Sequence, residues 1–254
     1  MDATGSGIIG DPSTDPVVTV ARAIGSNGEV ALRRRGDGPN AVWELIINGT
    51  FAMDSSETVS ERMLARVALS HHARAGRSPG AVLVCGLGLG YTALGLLRGP
   101  VDQVHVVERE QVLIDWARAG LTPTLASVVG DQRTRLHVAD AATFLSALPA
   151  GVPAAWQAIL LDVDNGPDFL LHESNAWLYE RGGLATCWSR LAPGGILAIW
   201  CQGRSAELHA ELVRLDPDAA VVEVPILREG HSIDYAIHLA RRPESRAGSG
   251  EGRS

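Results

Sequence analysis

The sequence predicts an α/β protein: an open, mostly parallel seven-stranded sheet with helices on both faces, preceded by a short N-terminal β segment. Three observations predict it. Ala81-Val-Leu-Val-Cys85 is an apolar, β-branched-rich run that stops at Gly86, Gly88 and Gly90, after which the spacing turns helical. Val104-His-Val-Val-Glu108 is a second such run and ends in an acid, so strand, glycine turn, helix and strand form half of a nucleotide-binding, Rossmann-like βαβ unit. Apolar runs and helical patterns then keep alternating, and the next two strands also end in acids, Asp140 and Asp162.

The elements follow in order. Residues 1–16, rich in Gly, Ser, Asp and Pro, read as a disordered tail. Val17–Ala21, Glu29–Arg34 and Ala41–Ile47 read as short strands, parted by turns such as Asn27-Gly28 and Asp37-Gly38. Helical spacing over Ser60–Ala75, with Met63, Val67 and Leu64 inward, completes an N-terminal segment of 17–76. The core, 77–241, alternates strand and helix: strand from Ala81, helix Thr92–Leu97, strand Val104–Glu108, helix Gln111–Ala119, strand Leu136–Ala139, helix Ala141–Leu148, strand Ala158–Leu161. A helix over Gly182–Leu191, a Pro-Gly-Gly turn, strand Gly195–Trp200 and a helix over Ala206–Leu215 come next. Val221–Leu227 and Ile233–Ala240 read as a closing antiparallel hairpin, and the polar stretch 242–254 as a second disordered tail.

Bulk properties narrow the function. A chain of 254 residues with 46% apolar composition buries one substantial core with room for a small appendage. The net charge of −7, without a basic stripe, argues against nucleic acid as a partner. Arg33-Arg34-Arg35 is the one basic run and reads as a solvated strand end. The N-terminus lacks the cationic and apolar regions of a leader, and the longest apolar stretch, Ala81 to Leu97, is broken by four glycines, so no membrane span is expected. Cys85, Cys187 and Cys201 are far apart in apolar surroundings, as buried, reduced thiols of a cytoplasmic protein would be. No metal-ligand spacing occurs, and no metal is expected.

The ligand is a nucleoside of one of two kinds. The dinucleotide fingerprint G-x-G-x-x-G/A fits from Gly88 to Ala93, with Glu108 20 residues after Gly88. Counted from Gly86, where the strand ends, that fingerprint fails at Tyr91, whereas the G-x-G-x-G spacing suits an S-adenosylmethionine loop. The series of acids favours the second reading, because strand ends of a parallel sheet line one crevice. Glu108 would accept the ribose hydroxyls, Asp140, beside Ala141, the adenine amino group, and Asp162 would lie near the reacting end.

In order and wording these segments resemble spermidine synthase and its relatives, the polyamine aminopropyltransferases. The matching segments are Val84-Cys-Gly86-Leu-Gly88-Leu-Gly90, Val106-Val-Glu108, Val138-Ala-Asp140-Ala141 and Leu161-Asp162-Val-Asp164-Asn-Gly-Pro167, with Trp43 to Gly49 and Ser55 to Leu64 upstream. The resemblance covers roughly residues 28 to 240 and implies a Rossmann-like class I methyltransferase fold. It also implies S-adenosylmethionine or its decarboxylated form as cofactor, an amine as small-molecule acceptor, and a homodimer formed through the N-terminal β segment. Three departures stand out. The family's glycine-loop aspartate, which binds the amine of the decarboxylated donor, is Leu89; its tyrosine-histidine pair is Val59-Ser60; and Asp162 and Asp164 are two apart instead of three.

Asp162 is the catalytic candidate, since alkyl transfer to nitrogen needs a free lone pair that a carboxylate can orient or expose. Asp164 is the second, although Asp-Asn-Gly is also a good turn. The resemblance places Tyr179 in the acceptor wall and turns Glu57 and Glu61 toward the acceptor. As a helix start, the same two glutamates would follow a Ser55 or Ser56 cap. Trp177 either stacks on a flat substrate or packs in the core. His71 and His72 end a helix, and His231 lies in a late loop from which it either reaches the crevice or does not. Three functions follow: methyl transfer, slightly preferred because Leu89 removes a carboxylate; aminopropyl transfer; or nucleoside binding without catalysis.

Overall fold

The computed structural model describes residues 16–26, 28–74, 76, 80–228 and 231–244. The expected tails fall almost wholly outside that set, as do Asn27 and the side chain of His231. The chain divides into two compact units, 1–56 and 57–254.

The first unit is an antiparallel meander of β1 (Val17–Gly25), β2 (Gly28–Arg35), β3 (Val42–Ile47) and β4 (Thr50–Asp54), in that order. Strand β4 was not expected from the sequence. Its signal is Asn48-Gly49, both at positive φ (51° and 74°), the two-residue turn whose twist matches a hairpin. Ile47 pairs with Thr50 across it. The arginine run ends β2 and is half-exposed, as expected, but it is also paired across the sheet. Arg33 and Arg35 hold the buried Glu44 of β3 at 2.9 and 3.0 Å, and Arg34 reaches Asp37. Alternation along β2 sends the first and third arginines to one face and the middle one to the other.

The second unit carries a seven-stranded sheet of order β10-β11-β9-β8-β5-β6-β7. Strands β5 (Ala81–Cys85), β6 (Gln103–Glu108), β7 (Thr134–Val138), β8 (Trp156–Leu161) and β9 (Leu191–Cys201) are parallel. The expected hairpin, β10 (Ala220–Arg228) and β11 (His231–Arg241), adds antiparallel to β9. Chain order reverses between β5 and β8, and a ligand crevice opens at such a switch point, outside the carboxyl ends. Val82, Leu83, Val84, Ile159, Leu160 and Leu161 are 0% exposed, as strands covered on both faces must be.

Helices α1 (Val59–Arg74), α2 (Tyr91–Leu97), α3 (Gln111–Arg118), α4 (Pro123–Gly130), α5 (Ala141–Ala147), α6 (Ala176–Tyr179), α7 (Arg181–Arg190) and α8 (Ala206–Leu215) flank the sheet. Among them α1 packs on α2 and β9 through Leu64, Ala65 and Ala68, so this unit starts at Glu57 and not at residue 77. His71 and His72 end α1 by donating Nε2–H to the carbonyls of Gly194 and Gln157, both at 2.9 Å. Helix α4, also unexpected, starts at Thr122, whose side chain accepts from Leu125 N–H, with Pro123 in the first turn. Trp177 packs against the core, as its second reading held.

Arginines close three helix C-termini. Arg133, paired with Asp131, donates to the carbonyls of Leu97, Gly99 and Val101 beyond α2. Arg190 donates to those of Leu145 and Ser146 in α5, and Arg242 to those of Ser189 and Leu191 at the end of α7. These satisfy carbonyls that no further helical turn reaches. Cys85, Cys187 and Cys201 are free and buried. No helix among the described residues is long and apolar enough to cross a membrane.

Candidate functional site

The site is built on the tips of β5, β6, β7 and β8. After Cys85 the chain turns through Gly86, Gly88 and Gly90, at φ +97°, +49° and +86°. Gly86 is irreplaceable on two counts: that φ strains any L side chain, and a Cβ would lie 2.1 Å from the Asp162 carbonyl oxygen. Its N–H donates to Val107 O at 2.8 Å, so the loop leaves the sheet still bonded to β6. Gly90 opens α2, and its missing Cβ leaves room for Leu125 and Val128. Between the glycines Leu87 and Leu89 turn inward, at 5% and 2% exposure.

Glu108, at the β6 tip, is held by backbone donors on both oxygens. Its Oε2 accepts from Leu87 N–H and its Oε1 from Glu110 N–H, both at 2.8 Å. Burial pushes the carboxyl up, and the N–H groups of Glu110, Leu87 and Arg109 pull it back. The carboxylate keeps acceptor capacity beyond these bonds, which a ribose hydroxyl can use.

Asp140, two residues beyond β7, caps α5 by accepting from Thr143 N–H at 2.9 Å, and Ala141 begins that helix, buried. Sequence reasoning missed Arg109, whose guanidinium lies 3.6 Å from Asp140 and donates to Ser174 at 2.6 Å. It follows Glu108 directly, and nothing local marks a partner 31 positions away.

At the β8 tip Asp162 N–H donates to Cys85 O at 2.9 Å, and its Oδ2 accepts from Thr92 of α2 at 2.6 Å. Burial pushes its carboxyl up to about 6, against the pull of Thr92. Glu61, buried in the first turn of α1, is pushed up to about 7 by burial and then by the Asp162 charge, while Ser60 Oγ donates to it at 2.7 Å. Glu57 adds a smaller push and also accepts from Val59 N–H at 2.9 Å, so this glutamate, not Ser55 or Ser56, serves the start of α1. Ser55 Oγ instead accepts from Trp43 N–H, and Ser56 bonds Asp54. Acids with values split near neutrality in one crevice suit proton handling.

Asp164 stands apart from that group. It is buried and accepts from Leu171 N–H at 2.7 Å and from the Tyr179 hydroxyl at 3.4 Å. Burial raises it, opposed by Leu171, Asn175 and His172. Tyr179 is 6% exposed, and burial, then the Asp164 charge, drives its phenol well up. Together they tie the loop after β8 to α6. That loop meets β9 through Gln202 N–H to Asn165 O at 2.8 Å.

Residues 57–217 match the family model for the spermine/spermidine synthase domain. Putrescine N-methyltransferase 4 of Nicotiana tabacum is 31% identical over 140 residues, 54% of this chain and 33% of that protein. Spermine synthase of Arabidopsis thaliana is 29% identical over 173 residues, 66% of this chain and 44% of the relative. The chain therefore spans less than half the length of these curated relatives. Spermidine synthase from Thermotoga maritima superposes with a TM-score of 0.68 at 17% identity, over 89% of this chain and 74% of that one. A spermidine synthase bound to the transition-state analogue AdoDATO gives 0.67 at 16%, over 89% and 73%. The structural likenesses speak to fold.

Proposed function

Because this chain belongs to the spermine/spermidine synthase family, we propose that it alkylates a small amine with S-adenosylmethionine, methyl transfer being favoured over aminopropyl transfer. The observation that carries this choice is Leu89. A buried leucine in the glycine loop offers no countercharge to a lone ammonium, whereas a methionine moiety brings its own carboxylate beside its ammonium. Its relatives include putrescine N-methyltransferases as well as spermine and spermidine synthases, so both transfers occur among them.

The residues fit an adenosine-bearing donor. Three left-handed glycines let the loop backbone approach closely, and Glu108 is pre-oriented by backbone N–H groups for hydroxyl donors. Asp140, steadied by Arg109, would take the adenine amino group. When bound, the donor supplies a sulfonium whose carbon is open to a nitrogen lone pair. Asp162 would accept the acceptor's N–H proton and aim the lone pair, Glu61 and Glu57 would face its cationic form, and Asp164 with Tyr179 would hold the loop that closes the acceptor side.

The test is an amine panel including putrescine, offered S-adenosylmethionine and its decarboxylated form, with products read by mass spectrometry. S-adenosylhomocysteine marks methyl transfer; methylthioadenosine from the decarboxylated donor marks aminopropyl transfer and overturns the preference. Nucleoside binding without turnover would leave a non-catalytic nucleoside-binding protein. A cytoplasmic location and a homodimer complete the proposal. The dimer rests on edge strand β1, where Val17, Val18 and Ile24 are 51%, 49% and 79% exposed.

A further inference from the structure

We propose that Thr92 is a positioning residue that holds Asp162 in both of its protonation states, by turning its hydroxyl between the Asp162 carboxylate and the Glu61 backbone carbonyl. Thr92 is 2% exposed in the first turn of α2, where α1 and the β8 tip meet it. Its Oγ1 lies 2.6 Å from Asp162 Oδ2 and 3.4 Å from Glu61 O. A hydroxyl has one hydrogen to give and lone pairs to receive with. With Asp162 ionised, the hydrogen goes to Oδ2, at the short distance typical of a charge-assisted bond.

When Asp162 takes a proton from the acceptor's ammonium onto Oδ2, that oxygen becomes a donor. Thr92 Oγ1 then accepts, and its own hydrogen swings to the Glu61 carbonyl. One N–H bond breaks, one O–H bond forms, and no buried polar group loses its partner at either stage. Among the described residues, no cation lowers Asp162. Glu61 and, beyond it, Glu57 lie on the α1 side, and Tyr179, which also feels Asp164, lies on α6. Among the described residues, the bond from Thr92 is what opposes burial at Asp162, so holding it ionised falls to that hydroxyl.

This inference rests on reading Asp162 as the acceptor's base, but its test does not need turnover. The Asp162 carboxyl is titrated by carbon-13 NMR in the wild type, Thr92→Val, Thr92→Ala and Thr92→Ser, with Asp162→Asn to assign the signal. Without the hydroxyl the midpoint should rise by about one pH unit, and Thr92→Ser should restore it. An unchanged midpoint in a folded hydroxyl-free variant would overturn the proposal, as would failure of serine to rescue; the two hydroxyl-free variants guard against one failing to fold. With an active acceptor, the acid limb of kcat should move with the midpoint while KM stays put. Thr92→Val should then cost nothing further in Asp162→Asn. A wild type inactive on every amine would defeat the alkyl-transfer reading and leave the titration to judge Thr92.

Discussion

Asp162 and Glu61 are raised toward neutrality mainly by burial, and that gives their ionisation a cost that folding bears. The sign for Glu61 follows from linkage. Its folded value, about 7, exceeds its ordinary 4.5, so between those values the folded state holds more protons than the unfolded. Stability is then fullest below pH 4.5 and falls as pH rises through 7. Glu61→Gln should stabilise the protein on the order of 3 kcal/mol at pH 8 and hardly at all at pH 4, read by urea unfolding at both. The same variant should lose activity, the usual exchange at a strained site. Asp162→Asn should cut kcat about 10²–10⁴-fold while calorimetry finds nucleoside affinity kept. The sequence showed both acids because each stands at a place pattern can find, a strand tip and a helix start. It did not show Thr92 as partner of Asp162, since 70 positions separate them and only the sheet's switch point joins them.

At the scale of elements, the β5–loop–α2 unit was legible because its information is local: β-branched residues, glycines at alternate positions, an acid at the next tip. The hidden constraint is the approach of two strands. Gly86→Ala puts a methyl 2.1 Å from the Asp162 carbonyl at a φ of +97°, so it should destabilise by about 2–4 kcal/mol and abolish nucleoside binding, whereas Gly49→Ala, with nothing near its Cβ, should meet only turn strain. Helix α4 escaped notice because its start, Thr122-Pro123, is short and its exposed face carries Ser127 and Ala126 without clear period. The Arg33–Arg35 run hid its partner for another reason: Glu44 lies on the next strand, and charge along one segment says nothing of charge across a ladder. Arg190→Ala should uncap α5 and cost about 1–2 kcal/mol, measured by thermal unfolding.

For the whole molecule, the parallel core and its closing hairpin were readable from alternation, but the order of strands in the sheet and the division at Glu57 were not, because periodicity finds strands and helices without saying which neighbours they take or which unit they join. Light scattering at tens of micromolar should give about twice 26.8 kDa, and deletion of residues 1–56 should return the monomer mass; a monomer for the full chain would defeat the dimer. The arginine caps of α2, α5 and α7 carry a wider consequence. All 22 basic residues of the chain are arginine and none is lysine. A guanidinium keeps its charge far above the pH at which an alkylamine gives up its proton. Under the alkaline conditions that bare an acceptor's nitrogen, the anchors of this fold stay charged and paired. The chain also carries no side-chain primary amine of its own, so the amine alkylation proposed for it would find no lysine on the protein to modify.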